Sequence, residues 1–139
     1  MARAWHHLPV SALAVLWNLL LVGDYLGLRL RVPLYVSNMT PEQVAWYEAM
    51  PLWMSVAWGV AVWSGLFAAL LLVSRMATGT FFALSFLGWL VLGGALMYLR
   101  EPSLLEATGE AGVYMMAAAA VAAFLFFVYA RWMRARLRH

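Results

Sequence analysis

The chain contains no cysteine and no lysine, and only 11% of its 139 residues are charged. Without cysteine, the protein has no disulfides, no thiolate nucleophile and no Cys-ligated metal. A soluble domain carries about 25% charged and about 45–50% apolar residues, whereas 66% of this chain is hydrophobic. A fold of this size has too little interior to bury so much apolar surface, so the sequence predicts a protein that folds in lipid.

The basic residues are all arginine, and the net charge is +3. This modest charge does not indicate a nucleic-acid-binding protein. The arginines lie mainly in loops and tails, where membrane topology uses them. We therefore expect the lipid bilayer, and no nucleic acid, as a partner.

Long hydrophobic runs predict an all-α polytopic membrane protein, a bundle of four transmembrane helices in one domain over residues 1–139. Each run is close to the ~20 residues that cross a ~30 Å hydrocarbon core as a helix. The predicted spans are residues 8–28, 51–73, 81–99 and 113–130. The first run lacks a small-x-small cleavage site and carries late polar residues, so we interpret it as a retained helix and not as a signal peptide.

Arginine positions predict the orientation of the bundle. One side carries Arg3, Arg75, Arg131, Arg134, Arg136 and Arg138. The other side carries Arg29, Arg31 and Arg100. The positive-inside rule then favours both termini in the cytoplasm, with the basic tail 131–139 near anionic lipid headgroups.

The long loop after the first span contains "TPEQVAWYEAMP", which is typical of a helix start. Thr40 and Gln43 match a Thr-x-x-Gln capping box, and Pro41 occupies the first helical position. Met50 precedes Pro51, which disfavours helix at residue 50. We expect a short interfacial helix over about residues 41–50 on the outer face, whereas "REPSLLEATGEAG" reads as an acidic outer loop between the third and fourth spans.

Two polar residues interrupt the first span, in the stretch "WNLLLVGDYLG". Asn18 lies about 15 Å and Asp24 about 6 Å from the outer end of the helix, at 1.5 Å per residue. The seven-residue spacing places Asn18 with Tyr25 on one face and Trp17 with Asp24 on the neighbouring face.

Two interpretations of these polar residues stay open. In the first, Asp24 lies at the mouth of a small cavity open to the outer side, and the candidate ligand-binding residues are Asp24, Asn18, Tyr25, Trp17 and Glu48. In the second, Asn18 hydrogen-bonds a neighbouring helix and Asp24 pairs with one of the outer arginines, Arg29, Arg31 or Arg100.

Other side chains point to packing. His6, His7 and His139 lie outside the predicted membrane interior, so we expect interfacial histidines, no metal and no cofactor such as haem. The deeper tryptophans Trp17, Trp58, Trp63 and Trp89 either line a pocket or pack against other helices. A ridge of small residues, Ala57, Ala61, Gly65 and Ala69, would close the bundle or build a homodimer.

The segments "LWNLLLVGDYLGL", "TPEQVAWYEAMPLW", "AVWSGLFAALLLVSR" and "FFALSFLGWL" resemble a family of small bacterial inner-membrane proteins with four predicted spans, some of which carry the label "sugar transporter". The resemblance covers roughly residues 8–100. It implies a multi-pass protein of the bacterial inner membrane and a small polar ligand. We therefore expect a non-enzymatic protein that binds or transports a small polar solute at a site around the first helix. The alternative is an accessory or assembly protein that packs against a membrane partner.

Overall fold

The computed structural model describes residues 6–37, 39–74 and 79–137, with the side chains of 35–36 and 134–137 excluded. These residues fold into helices and short connections, without a strand. The helices are α1 (His7–Arg29), α2 (Pro33–Val36), α3 (Pro41–Glu48), α4 (Leu52–Val73), α5 (Gly79–Tyr98) and α6 (Leu104–Leu137). The predicted all-α class is confirmed.

Four of these helices are long and apolar enough to cross a membrane: His7–Arg29, Leu52–Val73, Gly79–Tyr98 and Leu104–Met133. Each contains or closely matches one predicted span. The fold is therefore that of a multi-pass membrane protein built as a four-helix bundle. Of the arginines used to predict orientation, Arg3, Arg75 and Arg138 lie outside the described residues, as do the side chains of Arg134 and Arg136.

The short helix α3 begins at the predicted capping box. The Gln43 amide N–H donates to Thr40 Oγ1 at 3.2 Å, and the Thr40 amide donates to Gln43 Oε1 at 3.1 Å. Two of the backbone donors that a helix start leaves unpaired are thereby satisfied. This part of the prediction is confirmed, and α3 ends at Glu48, two residues before the position that Pro51 disfavours.

Helix α6 begins earlier than the sequence pattern indicates. Ser103 and Glu106 form a second capping box, in which Ser103 Oγ accepts from the Glu106 amide at 3.3 Å and Glu106 Oε1 accepts from the Ser103 amide at 3.3 Å. Helical structure therefore starts at Leu104 within the stretch that reads as a loop. Gly109 has φ 76° and ψ −172° and breaks the helix locally, a conformation that glycine adopts readily because it lacks a Cβ.

Helices α4 and α5 pack tightly where Gly88 of α5 faces Ala61 of α4. A Cβ at Gly88 would lie 2.9 Å from Ala61 Cβ and 3.0 Å from Ala61 Cα. Beside this contact, the Ser85 hydroxyl donates to the Ala61 carbonyl at 2.7 Å. Two residues of the predicted small-residue ridge, Ala61 and Ala69, are fully buried, so the ridge serves packing within the bundle.

Helix α1 is fixed to α4 at its middle and at its start. Asn18 is buried, donates to the Ala14 carbonyl of its own helix at 2.8 Å, and turns its oxygen toward Gly65 of α4. His7 is 6% exposed, and its Nε2 lies 2.9 Å from the Leu72 carbonyl. His7 is therefore part of the buried α1–α4 contact at the start of α1.

The long helices pack side by side in the order α1, α4, α5 and α6. At the end of the bundle where α1 terminates and α4 begins, a gap between α1 and α6 stays open. We call this end the Asp24 end, and the gap contains the cavity described next.

Candidate functional site

A cavity of about 130 Å³ lies at the Asp24 end, between α1 and α6 and in front of α4 and α5. Its lining comes from five helices. The lining residues are Leu21, Asp24, Leu28, Tyr47, Trp58, Trp89, Leu104, Gly112, Met115, Met116 and Ala119. Met115 is 42% exposed, so the cavity opens past the α6 side. We call this feature the Asp24 cavity.

The carboxylate of Asp24 is the only charged group in that lining. It is half-buried, and among the described residues it forms no ion pair and accepts no hydrogen bond. A charge in a partly dehydrated site is unfavourable unless something pairs with it. Within the part of the chain that the structure describes, Asp24 is therefore a charge without a protein partner.

The three arginines at this end of the bundle bind other groups. Arg29 donates to the Ser55 hydroxyl at 3.0 Å, and Arg31 Nε lies 2.5 Å from Glu48 Oε1. Arg100 donates to a backbone carbonyl of α3 at 2.9 Å. The second interpretation of Asp24, a pair with one of these arginines, is not found in the structure.

Helix α3 covers the cavity and is held there by Trp46. The Trp46 indole N–H donates to the Pro102 carbonyl at 2.7 Å, and the Arg100 guanidinium lies 4.5 Å from the centre of the Trp46 ring. The neighbouring Tyr47 then reaches the cavity. Burial raises the pKa of Tyr47 above its ordinary value of 10.0, and the nearby negative charge of Asp24 raises it further.

Aromatic rings form much of the cavity wall. Trp58 of α4 contacts Tyr47, with ring centres 5.9 Å apart, and Tyr25, with ring centres 4.9 Å apart. Trp89 of α5 is 4% exposed, and its indole N–H has no hydrogen-bond acceptor among the described residues. A buried donor without an acceptor costs about 1–3 kcal/mol, so one residue of the cavity wall carries an unpaired buried donor.

Of the five residues selected from the sequence, Asp24 alone is in the cavity lining. Asn18 is in the α1–α4 contact, and Tyr25 packs on Trp58 behind the wall. Trp17 packs between the two hydrophobic clusters of the bundle. Glu48 pairs with Arg31 at the surface and does not face Asp24.

The sequence contained a signal for part of the missing lining. Leu21 and Leu28 lie three residues before and four residues after Asp24, which puts all three on one stripe of α1. Trp58 and Trp89 belong to the deep tryptophans, but periodicity alone does not distinguish a wall from a packed core. Tyr47 and the α6 residues carry no such signal, because only tertiary packing brings them to α1.

The residue types in the lining limit the chemistry that the Asp24 cavity can support. Among the described residues, no three His, Cys, Asp or Glu side chains converge as a metal site would require. The cavity offers one carboxylate, one phenol, indole rings and thioethers, which suit reversible binding. Comparisons with known protein families, with curated proteins and with solved structures found no match.

Proposed function

We propose that this protein binds a small polar solute in the Asp24 cavity, as a binding or transport protein without covalent catalysis. One observation carries the proposal: Asp24 lines a cavity while the arginines beside it bind Ser55, Glu48 and the backbone of α3. An intramembrane carboxylate without a partner is expensive, and such residues commonly mark substrate or ion pathways.

The polarity and the size of the cavity bear on the solute. Buried polar groups in folded proteins are nearly always hydrogen-bonded, so a solute that supplies a donor or a positive charge would satisfy Asp24. The volume of about 130 Å³ is below the ~300–1,000 Å³ of pockets for drug-sized ligands, so the solute is small.

The proposed cellular setting is the bacterial inner membrane, with both termini in the cytoplasm. The arginine distribution and the acidic residues Glu101, Glu106 and Glu110 on the opposite side support it. In that orientation the Asp24 cavity faces the periplasmic side. The resemblance to small four-span bacterial proteins agrees with this setting.

Thermal-shift measurements on detergent-purified protein test the proposal. The panel contains amines, amino acids, polyols and sugars, and the proteins are wild type, Asp24→Asn and the control Glu42→Gln. Glu42 is exposed in the first turn of α3, so its replacement removes one negative charge outside the cavity. A ligand at a hundred times its Kd stabilises a protein by about 2.7 kcal/mol.

We expect at least one compound to raise the Tm of wild type and Glu42→Gln and to leave Asp24→Asn unchanged. Asp24→Asn without ligand should be at least as stable as wild type, because it removes an unpaired charge. If every compound shifts the Tm of wild type and of Asp24→Asn equally, Asp24 has no role in binding.

The alternative, an accessory protein that packs against a membrane partner or its own copy, has one observation in its favour. Only 11% of the most apolar window of α6 is buried, against 44% for α4. Such an exposed helix can contact lipid, a second copy or another protein. Light scattering of the detergent complex distinguishes a homodimer from a monomer, and an obligate dimer in which no compound binds would favour this alternative.

A further inference from the structure

Charge is the first property of the Asp24 cavity that bears on the identity of its solute. The lining contains one carboxylate and no basic side chain. Because Arg29, Arg31 and Arg100 are engaged elsewhere, the negative charge of Asp24 is not neutralised from within the bundle. An anion would meet an uncompensated like charge, whereas a cation would relieve it.

The aromatic wall is the second property. Tyr47, Trp58 and Trp89 bring three rings to one small cavity, and the negative faces of aromatic rings attract organic cations. The same end of the molecule already contains such a contact, since the Arg100 guanidinium lies 4.5 Å from the Trp46 ring centre. Aromatic faces beside a carboxylate are the combination that recognises ammonium groups.

Polar partners are the third property, and there are few of them. Apart from Asp24, the lining residues with a polar atom in their side chains are Tyr47, Trp58 and Trp89, and the remaining residues are apolar. A sugar would lose the water around several hydroxyls without replacement. Mg²⁺ and Ca²⁺ prefer six or more oxygen ligands, which one carboxylate does not provide.

We infer, on the basis of the solute site proposed above, that the solute is a small organic cation. Its ammonium group would lie beside Asp24, and its alkyl substituents would contact the rings of Tyr47, Trp58 and Trp89. Alkylated amines and amino alcohols are the chemical class that fits. A cavity of about 150 Å³ is known to hold one benzene molecule, so about 130 Å³ suits a cation of similar size.

A matched pair of probes tests the charge alone. Choline and its neutral carbon isostere, 3,3-dimethyl-1-butanol, have the same shape and hydroxyl and differ in the positive charge. Their affinities for the full chain are measured by titration calorimetry in dodecyl maltoside micelles, which contain no choline headgroup. Glycerol and glucose serve as neutral polyols in the same buffer.

We expect wild type to bind choline at least about tenfold more tightly than the isostere. Asp24→Asn should lose that preference, and Glu42→Gln should keep it. Trp58→Phe should weaken choline more than the isostere, because a tryptophan face attracts a cation more strongly than a phenylalanine face. The comparison of choline with its isostere on wild type does not depend on the folding of any variant.

The outcomes distinguish a wrong assignment of the solute class from the absence of a solute site. Equal binding of choline and the isostere, or tighter binding of a polyol that Asp24→Asn abolishes, would overturn the cation assignment and leave the solute site standing. If no probe binds wild type, the cation assignment fails. If the wider panel also shows no ligand dependent on Asp24, the proposed function fails with it.

Discussion

Asp24 of α1 and Tyr47 of α3 line the same cavity, and the charge of one shifts the ionisation of the other. The phenol of Tyr47 is largely dehydrated there, and this burial together with the Asp24 charge raises its pKa above 10.0. The chain separates the two residues by the end of α1, by α2 and by the start of α3. Their electrostatic contact is thus a direct consequence of how α3 folds back over the bundle.

Replacing Tyr47 with phenylalanine should change how stability depends on alkaline pH. A phenol whose folded pKa exceeds its unfolded pKa keeps its proton longer in the folded state, so stability is fully present below about pH 10 and falls as pH rises through the folded pKa. Tyr47→Phe should lessen that fall in a series of Tm measurements. Tyr98→Phe, at a residue that is 83% exposed, is the control and should keep the wild-type slope.

The tyrosinate absorbance gives an independent readout of the same group. Tyr47→Phe should remove a late-ionising phenol from the spectrophotometric titration, and Asp24→Asn should shift that phenol to lower pH. If Asp24→Asn leaves the titration unchanged, the two side chains are not electrostatically coupled.

Adding a methyl group at Gly65 should destabilise the bundle. The new Cβ would overlap the Asn18 side-chain oxygen and lie 2.9 Å from Ser85 Oγ. Overpacking of this kind typically costs about 1–3 kcal/mol. Reversible unfolding in mixed micelles measures the effect. Gly93→Ala is the matched control, because a Cβ at Gly93 meets no atom within 4 Å.

A second substitution shows whether the Asn18 contact causes that loss. Asn18→Ala removes the oxygen that the new methyl group would overlap, so the double variant should be more stable than the sum of the two single losses predicts. Strict additivity would mean that Gly65→Ala acts through another neighbour.

Arginine substitutions at the Asp24 end should differ in their effects on stability. Arg100→Ala removes a hydrogen bond to the Trp46 carbonyl and the contact with the Trp46 ring, for an expected loss of about 1–3 kcal/mol. Arg31→Ala breaks an ion pair whose side chains are 65% and 44% exposed, for which about 1 kcal/mol or less is expected. Equal losses would contradict the anchoring of α3 through Trp46.

Removing the cap of α6 should fray the segment between Leu104 and Gly109. Ser103→Ala deletes the acceptor of the Glu106 amide, and the loss of such a cap costs about 1 kcal/mol. Amide hydrogen exchange should accelerate at residues 106–108. Ser74→Ala, at an exposed serine whose hydroxyl donates to the Leu70 carbonyl of its own helix, should leave this segment protected.

The features that the sequence predicts correctly depend on residues that are close together in the chain. Long apolar runs predict the four long helices, and the Thr40–Gln43 pattern predicts the start of α3, because both depend on residues close together in the chain. The same reasoning applied to Ser103 and Glu106 indicates the true start of α6, but the glycines and acidic residues around them are typical of a loop.

The candidate site was only partly predictable, because its walls come from distant segments. The seven-residue periodicity places Asn18 and Asp24 on different faces of α1, and in the structure Asn18 is in a helix contact while Asp24 lines the cavity. Nothing local to Tyr47 or Trp89 indicates that either residue approaches Asp24. Likewise, the partner of Glu48 is decided by the approach of Arg31 in three dimensions.

Asn18 contacts Gly65 of α4 near the middle of α1. Asp24 lies about 9 Å along the axis from Asn18, at 1.5 Å per residue. Side chains of α1 bond to α4 on both sides of this contact, because His7 lies beside the Leu72 carbonyl and Arg29 donates to Ser55. Widening the Asp24 cavity through a movement of α1 would therefore act on side-chain bonds to α4 as well as on the gap to α6.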